Sequence, residues 1–382
     1  MTPVTDAFES AFGSVPTGVW SAPGRVNLIG EHTDYNGGLV LPFAIDRRTW
    51  CAAAPRADRM LRVRSASAHG EFVVDLDEIH PQSLGGWAAY PLGVAWALGE
   101  SVADHGDAHG VDLYLDSDVP IGAGLSSSAA IECAVAVALN DLWDLGLDRM
   151  TLARAGRRAE NVAVGAPTGI MDQCASLFGE ADHAVFIDCD TEVTEAVPLH
   201  LKSENLTVLV IDTGVSHSHA TGGYAERRAS CELGAKQMEV PSLRFVAETD
   251  LPRAAEILDD VTFRRVRHVV TENARVADTV RALRAEGPRA IGELLLASHA
   301  SMRDDFEISV PELDLAVESA VRHGAVGARM TGGGFGGAAI AVVDVDDADA
   351  VGAAVSDDFA KVGFGAPRTF TVTPSDGARR DR

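Results

Sequence analysis

The chain has 382 residues and a formal charge of −24, from 56 acidic and 32 basic residues. A field of that sign repels phosphate backbones and anionic lipid, so neither nucleic acid nor a membrane surface is an expected partner. With 46% hydrophobic and 23% charged residues, the composition is that of a soluble globular enzyme long enough for two domains. Any phosphate-bearing ligand must find its own local positive potential in backbone amides, a divalent cation or an arginine.

The first residues carry Asp6 and Glu9 and lack basic and apolar leader regions, so no signal peptide is expected. Residues 20–50 mix turn formers with short apolar runs and read as β-rich. The alternating runs Leu61–Ala66, Glu71–Leu76 and Val111–Leu115 predict strands, the last ended by Pro120 and a glycine loop. From Ser126 to Leu142 the pattern predicts a helix that is apolar on most faces and therefore buried. Its apolar core, Ala129–Leu139, is too short to cross a bilayer and contains Glu132. A second helix is predicted over Thr151–Val164 with Thr151 as N-cap. Strands follow at Ala184–Asp188 and Leu206–Asp212, then a helical region from 252 to 323. A strand at Ala338–Val345, a helix at Ala348–Phe359 and a strand at Arg368–Pro374 end the chain. Helices and strands interleave without strict βαβ alternation, which predicts an α+β fold; a boundary near residue 200 divides it into 1–200 and 201–382. Cys51, Cys133, Cys174, Cys189 and Cys231 are odd in number and form no C-x-x-C pair, so a reducing cytoplasmic setting is expected, without disulfides or zinc.

Four segments carry candidate chemistry. In Pro120–Ala130 a strand leads through Gly122-Ala123-Gly124-Leu125 and three serines, Ser126, Ser127 and Ser128, into a helix. Glycines let successive amides face one concavity, and the helix N-terminus adds its positive end, a combination that binds phosphate. It is neither a Walker A loop nor a dinucleotide fingerprint. In Ser21–Gly38, Glu31, His32 and Asp34 fall within four residues, next to an Asn36-Gly37 turn; such groups suit a polyhydroxyl ligand, a metal or an exposed turn. Asp172 stands in an otherwise apolar or small run, GIMDQCA, and reads either as a buried functional acid paired with Arg25 or as a helix cap. Thr331–Gly337 has five glycines in six residues from Gly332, which permits close approach to a ligand or to another loop. Glu160, among Arg157, Arg158 and Asn161, reads as a solvated helix face, and His217-Ser218-His219 as a polar loop rather than a metal pair.

SAPGRVNLIGEHTDYNGG resembles the galactokinase signature, DVPIGAGLSSSAA the ATP loop of the GHMP kinases, and MTGGGFGGAAI the third motif of that superfamily; TGGYAERRASCE, with Tyr224, resembles a further galactokinase segment. The resemblance covers about residues 19 to 344. It implies a two-lobed GHMP-kinase fold with mixed sheets and the active site between the lobes, and ATP-dependent phosphorylation of galactose at its C1 hydroxyl. An N-acetylgalactosamine kinase and a non-catalytic galactose- and ATP-binding regulator are the alternatives. Carried over, the resemblance puts Glu31, His32, Thr33, Asp34, Tyr224 and the Gly169 backbone around the sugar. It puts Gly122 through Ser128 on the ATP phosphates, Ser65 on the nucleotide, and Mg2+ on Ser128 and Glu160. It makes Asp172 the base and Arg25 the stabiliser of developing charge. The expected partners are a sugar and ATP, with a monomeric chain.

Overall fold

The computed structural model describes residues 3–101, 108–216 and 220–382; the His217–His219 segment lies outside the described residues. The first half of the chain contains α1 (Pro3–Phe12), β1 (Gly18–Asn27), β2 (Leu39–Val40), β3 (Pro42–Pro55), β4 (Met60–Ser65), β5 (Ala68–Asp75), α2 (Ala89–Ser101), β6 (Val111–Ser117), α3 (Ser127–Leu142), α4 (Arg149–Arg158), α5 (Met171–Phe178), β7 (His183–Asp188) and β8 (Val193–Pro198). The second contains β9 (Leu206–Ser216), α6 (Ala220–Gln237), α7 (Leu251–Ile257), α8 (Asp260–Ala285), α9 (Gly292–Asp304), α10 (Pro311–Arg322), β10 (Gly327–Thr331), β11 (Gly336–Asp344), α11 (Ala348–Val362), β12 (Arg368–Val372) and β13 (Arg379–Arg380).

Strands form a six-stranded sheet in the order β13-β1-β3-β6-β4-β5, a four-stranded sheet β10-β11-β9-β12 and a small sheet β2-β7-β8. Within the first sheet β4 and β6 run parallel and the other pairs antiparallel. Period-two alternation divides its two faces. Trp20, Cys51 and Ala53 face the helices α2–α5, whereas Val19, Ala52 and Ala54 face Phe8 of α1. The four-stranded sheet is covered on both sides, which is why β9 and β11 read as near-continuous apolar runs. Leu209, Ile211, Ala339 and Ala341 pack on the C-terminal helices; Val208, Val210, Ile340 and Val342 pack against Leu28, Phe43, Val119 and Leu125. That shared core brings the 25–45 segment, the loop before α3 and the β10–β11 loop together. Residue 200, near which a boundary is expected, lies in the connection between β8 and β9, and β13 crosses back to pair Arg379 and Arg380 with Ser21 and Trp20.

Three local features differ from the sequence reading. Asp148 caps α4, accepting from the Thr151 amide, so Thr151 is not the N-cap. The expected single helix to Val164 changes at Ala159 into a π-helical turn, Ala159–Val164, a wide turn of the kind that often marks functional sites. Asp172 lies inside the first turn of α5 with Ile170 at the cap position, which removes the capping reading.

Candidate active site

The glycine-serine loop has the geometry its composition predicts. Gly122 and Gly124 adopt left-handed φ of +81° and +70°, and Ser126, at +53°, leads into α3. Ala123 and Leu125 turn inward into the core while the backbone between them curls outward. Beneath it, the register of β1 against β3 shifts between Pro23 and Arg25. At Gly24 a Cβ would stand 2.6 Å from the Leu125 carbonyl, so only glycine lets the loop settle on the strand. The bulge re-aims Arg25. Its Nε donates to Asp172 Oδ1 at 2.9 Å, its NH2 to Oδ2 at 3.0 Å and its NH1 to the Gly124 carbonyl at 2.5 Å. Ser126 Oγ also donates to Asp172.

Two cavities meet at this ion pair. One, of about 370 Å³, is lined by the loop from Pro120 to Ser128, except Ala123, together with Tyr90, Arg25, Asp172, Gly332 and Gly333. The other, of about 220 Å³, is lined by Glu31, His32, Asp34, Thr168, Gly169, Met171 and Tyr224 and by the same Arg25, Asp172, Gly332 and Gly333. The glycine-rich β10–β11 loop thus approaches both a cavity and another loop: a Cβ on Gly332 would stand 3.2 Å from the Gly124 carbonyl.

In the second cavity the side chains come from distant parts of the chain. Asp34 accepts from its neighbour Tyr35 N–H at 2.9 Å; burial and the charge of Asp172 push its carboxyl up to about 6. A Cβ on Gly169 would collide with that carboxylate, which is why the position is glycine. His32, in a left-handed conformation, has both ring nitrogens occupied: Nε2 lies 3.2 Å from the Gly333 carbonyl and Nδ1 2.7 Å from the Tyr35 hydroxyl. A carbonyl can only accept, so Nε2 carries the proton and Tyr35 donates to Nδ1. Burial, and then His268, lowers the ring to about 3 and keeps it neutral. Tyr224 and Phe306 each lie tilted against His32 at 4.8 Å between ring centroids, and His32 and Tyr224 give this cavity an aromatic wall. Glu31 lines the cavity but is 1% exposed. One carboxylate oxygen accepts from the Gly332 amide at 2.9 Å and the other pairs with Arg329. Thr33 is a different case. Its hydroxyl donates to the Gly30 and Leu39 carbonyls at 2.9 and 2.7 Å, so it braces the turn behind the wall instead of lining the cavity.

Glu160 is not on a solvated face. The π turn carries it inward to 5% exposure, where it accepts from Ser128 Oγ at 3.1 Å and Thr168 Oγ1 at 2.7 Å. Burial, then the charge of Asp172, raises its carboxyl. No cluster of three His, Cys, Asp or Glu side chains forms a metal cage among the described residues. One carboxylate and one hydroxyl beside a phosphate cradle instead suit an oxygen-seeking ion that keeps waters and takes phosphate oxygens, as Mg2+ does. Ser65 lines a third cavity, of about 180 Å³, with Trp87, Tyr90, Ile121, Ser127 and Ile131. This apolar slot shares Tyr90, Ile121, Ser127 and Ser128 with the loop cavity.

Residues 6–55 match the galactokinase galactose-binding signature, 89–180 the N-terminal domain of GHMP kinases and 279–361 their C-terminal domain. The chain is 52% identical to the galactokinase of Streptomyces coelicolor over 99% of its own length and 97% of that protein. The chain belongs to the galactokinase family. The galactokinase of Mycobacterium tuberculosis is 44% identical over 95% of the chain and 99% of its own. The crystal structure of Lactococcus lactis galactokinase complexed with galactose superposes with a TM-score of 0.93 at 34% identity, covering 98% of both chains. The Methanococcus jannaschii mevalonate kinase, 18% identical with a TM-score of 0.68, covering 94% of the chain and 98% of its own, shares the fold.

In this galactokinase-family chain the sequence reading passed over several residues. Trp87 and Tyr90 lie in an unremarkable stretch at the start of α2. Arg329 sits within an apolar strand and is fully buried. An arginine in such a run must be paired, which was the signal available. Its NH1 donates to the Asn27 and Leu28 carbonyls at 3.2 and 3.1 Å, and its NH2 pairs with Glu31. Alongside, Glu272 accepts from the Gly30 amide at 3.0 Å and Ser298 Oγ at 2.6 Å. Burial raises its carboxyl, but Arg275, His268 and Arg329 outweigh this and hold it at about 2. Arg329→Met leaves Glu31 as a buried charge without its partner and should lower unfolding free energy by about 3–5 kcal/mol. The double variant with Glu31→Gln should recover part of that loss. Denaturant unfolding checks both; additive losses would show that the pair is not the coupling element.

Proposed function

We propose that the chain transfers the γ-phosphoryl group of ATP to the C1 hydroxyl of galactose, giving galactose 1-phosphate and ADP. The observation that supports this reading is the shared wall: a phosphate cradle and a polar, aromatic-walled cavity of monosaccharide size join at Arg25 and Asp172. In this reading Gly122 through Ser128 face the phosphates with amides and hydroxyls, and the apolar slot beside Ser65, Trp87 and Tyr90 takes the nucleobase. Asp34, Glu31, His32, Tyr224 and the Gly169 backbone surround the sugar. The ordered polar atoms fix which hydroxyl meets Asp172, and the rings cover its apolar faces. Ser128 and Glu160 hold Mg2+, which when bound neutralises phosphate charge.

Asp172 accepts the C1 hydroxyl proton as the oxygen approaches phosphorus. Arg25, already bidentate to Asp172, aligns that carboxylate and offsets charge developing between the two cavities. Phosphoryl transfer asks mainly for positioning and electrostatic stabilisation, and these fixed groups supply both.

Asp172→Asn should still bind galactose while turnover, followed by ADP release, falls by about 10²–10⁴, the range for loss of a general base. Near-normal turnover would remove Asp172 from the chemistry. In the same assay galactose should support ADP release by the unmodified chain, and N-acetylgalactosamine, glucose and mevalonate should not.

The position of Asp34 adds a pH prediction. Its carboxyl is protonated below about 6 in the free protein, and a protonated acid has lost one acceptor for a sugar hydroxyl. Galactose affinity, measured by calorimetry without nucleotide, should rise with pH through about 6. Asp34→Asn should flatten that rise; a variant that keeps it would place the titrating group elsewhere. Without sugar the sign reverses. The folded state holds its proton between the ordinary 3.8 and about 6, so this group's contribution to stability is lost as pH rises across that window.

A further inference from the structure

Behind the phosphate loop, two side chains that the reaction scheme does not use meet at the junction of three helices. Glu132 of α3 and Gln173 of α5 are both 0% exposed. Gln173 Nε2 donates to Glu132 Oε2 at 2.8 Å and to Glu160 Oε2 at 3.1 Å. Both amide protons therefore go to carboxyl groups. Two buried oxygens remain without a partner, Glu132 Oε1 and Gln173 Oε1. If Glu132 were ionised both would be acceptors and neither could satisfy the other. Among the described residues Glu132 forms no ion pair, and burial pushes its carboxyl well above the ordinary range.

We infer that Glu132 is a neutral carboxylic acid that closes a two-point acid–amide pair with Gln173 and acts as a positioning residue for Glu160. A primary amide and a carboxylic acid facing each other share an N–H···O and an O–H···O bond. The first is the 2.8 Å contact; the second joins the two oxygens otherwise left without partners, so one proton resolves both. The pair also fixes which way the Gln173 amide faces. Turned over, the amide would present its oxygen to the Glu160 carboxylate. Held as it is, its second N–H binds Glu160 Oε2 together with Thr168 and leaves Oε1 toward Ser128. Helix α4 closes over the pair at Gly156, where a Cβ would stand 3.0 Å from Gln173 Cγ and 3.5 Å from Glu132 Oε2. The carboxyl group behind the loop thus carries a proton, and the pair adds no negative charge beside Glu160.

The consequence for the metal rests on the proposed role of Glu160; the protonation of Glu132 does not. Glu132→Gln replaces the acid by an amide that makes the same two bonds, so it should keep near-normal stability and Mg2+-dependent nucleotide binding. Glu132→Leu keeps volume but frees the amide, and the Mg2+ concentration needed for nucleotide binding, read by calorimetry, should rise by about 10-fold to 100-fold. Infrared difference spectra of the unmodified chain against Glu132→Gln at neutral pH should show the carbonyl stretch of a protonated carboxyl. Absence of that band, or a loss in Glu132→Gln as large as in Glu132→Leu, would overturn the inference, and the infrared test does not require the leucine variant to fold. If the band is present but Glu160→Gln leaves the Mg2+ dependence unchanged, the metal assignment fails and the acid–amide pair stands.

Discussion

Arg25 holds Asp172 through two hydrogen bonds of 2.9 and 3.0 Å, and the rest of the site is arranged around that pair. The guanidinium reaches it because β1 bulges at Gly24; the third donor ties the same side chain to the Gly124 carbonyl of the phosphate loop. One arginine therefore links a strand of the first sheet, the loop before α3 and the first turn of α5. Because the pair forms part of the wall of both cavities, a group in one and a group in the other are brought to the same carboxylate. Shifting any of the three elements would separate them.

A chain of net charge −24 that handles a polyphosphate has to control its own carboxylates near that ligand. The structure does so in two ways. Glu31 and Glu272 are matched with Arg329 and Arg275, deep in the core, where they anchor the backbone of the Gly30–Asp34 turn and the glycine loop. Asp34, Glu132 and Glu160 form no ion pair among the described residues, and burial raises the carboxyl of each. The positive potential comes from backbone amides, the α3 N-terminus and Arg25. Local dipoles and one well-placed guanidinium thus act against a strongly acidic surface at short range, where solvent screening is weakest.

Much of this was legible in the sequence because it depended on backbone chemistry. Glycines at 122, 124, 332–334, 336 and 337 announced loops whose amides or neighbours come close, and the alternation of Val111, Leu113 and Leu115 announced a strand. The pairing of Arg25 with Asp172 was one of two readings that an acid set among apolar residues left open, the other being a helix cap. What escaped depended on helix geometry and on partners far away in the chain. Glu160 has polar sequence neighbours, and only a π-helical turn, which no local pattern declares, rotates it inward. Thr33 sits between His32 and Asp34 yet points away from them, because the turn needs its hydroxyl. Arg329 gave a signal, a charge within an apolar strand, but its partner Glu31 lies 298 positions away. The Glu132–Gln173 pair was visible only as a blemish in an apolar helix.

The central claim is that sugar and nucleotide occupy adjoining cavities and react directly across Arg25 and Asp172, with no protein group carrying the phosphoryl in between. Ser126, hydrogen-bonded to Asp172, is a side chain that could serve as a covalent relay. The stereochemical course at phosphorus distinguishes the two. With galactose and ATP made chiral at the γ-phosphorus by isotopic oxygen, a single in-line displacement predicts galactose 1-phosphate of inverted configuration. Retention would require two successive displacements through an enzyme-bound phosphoryl group and would contradict the direct transfer that the shared wall implies.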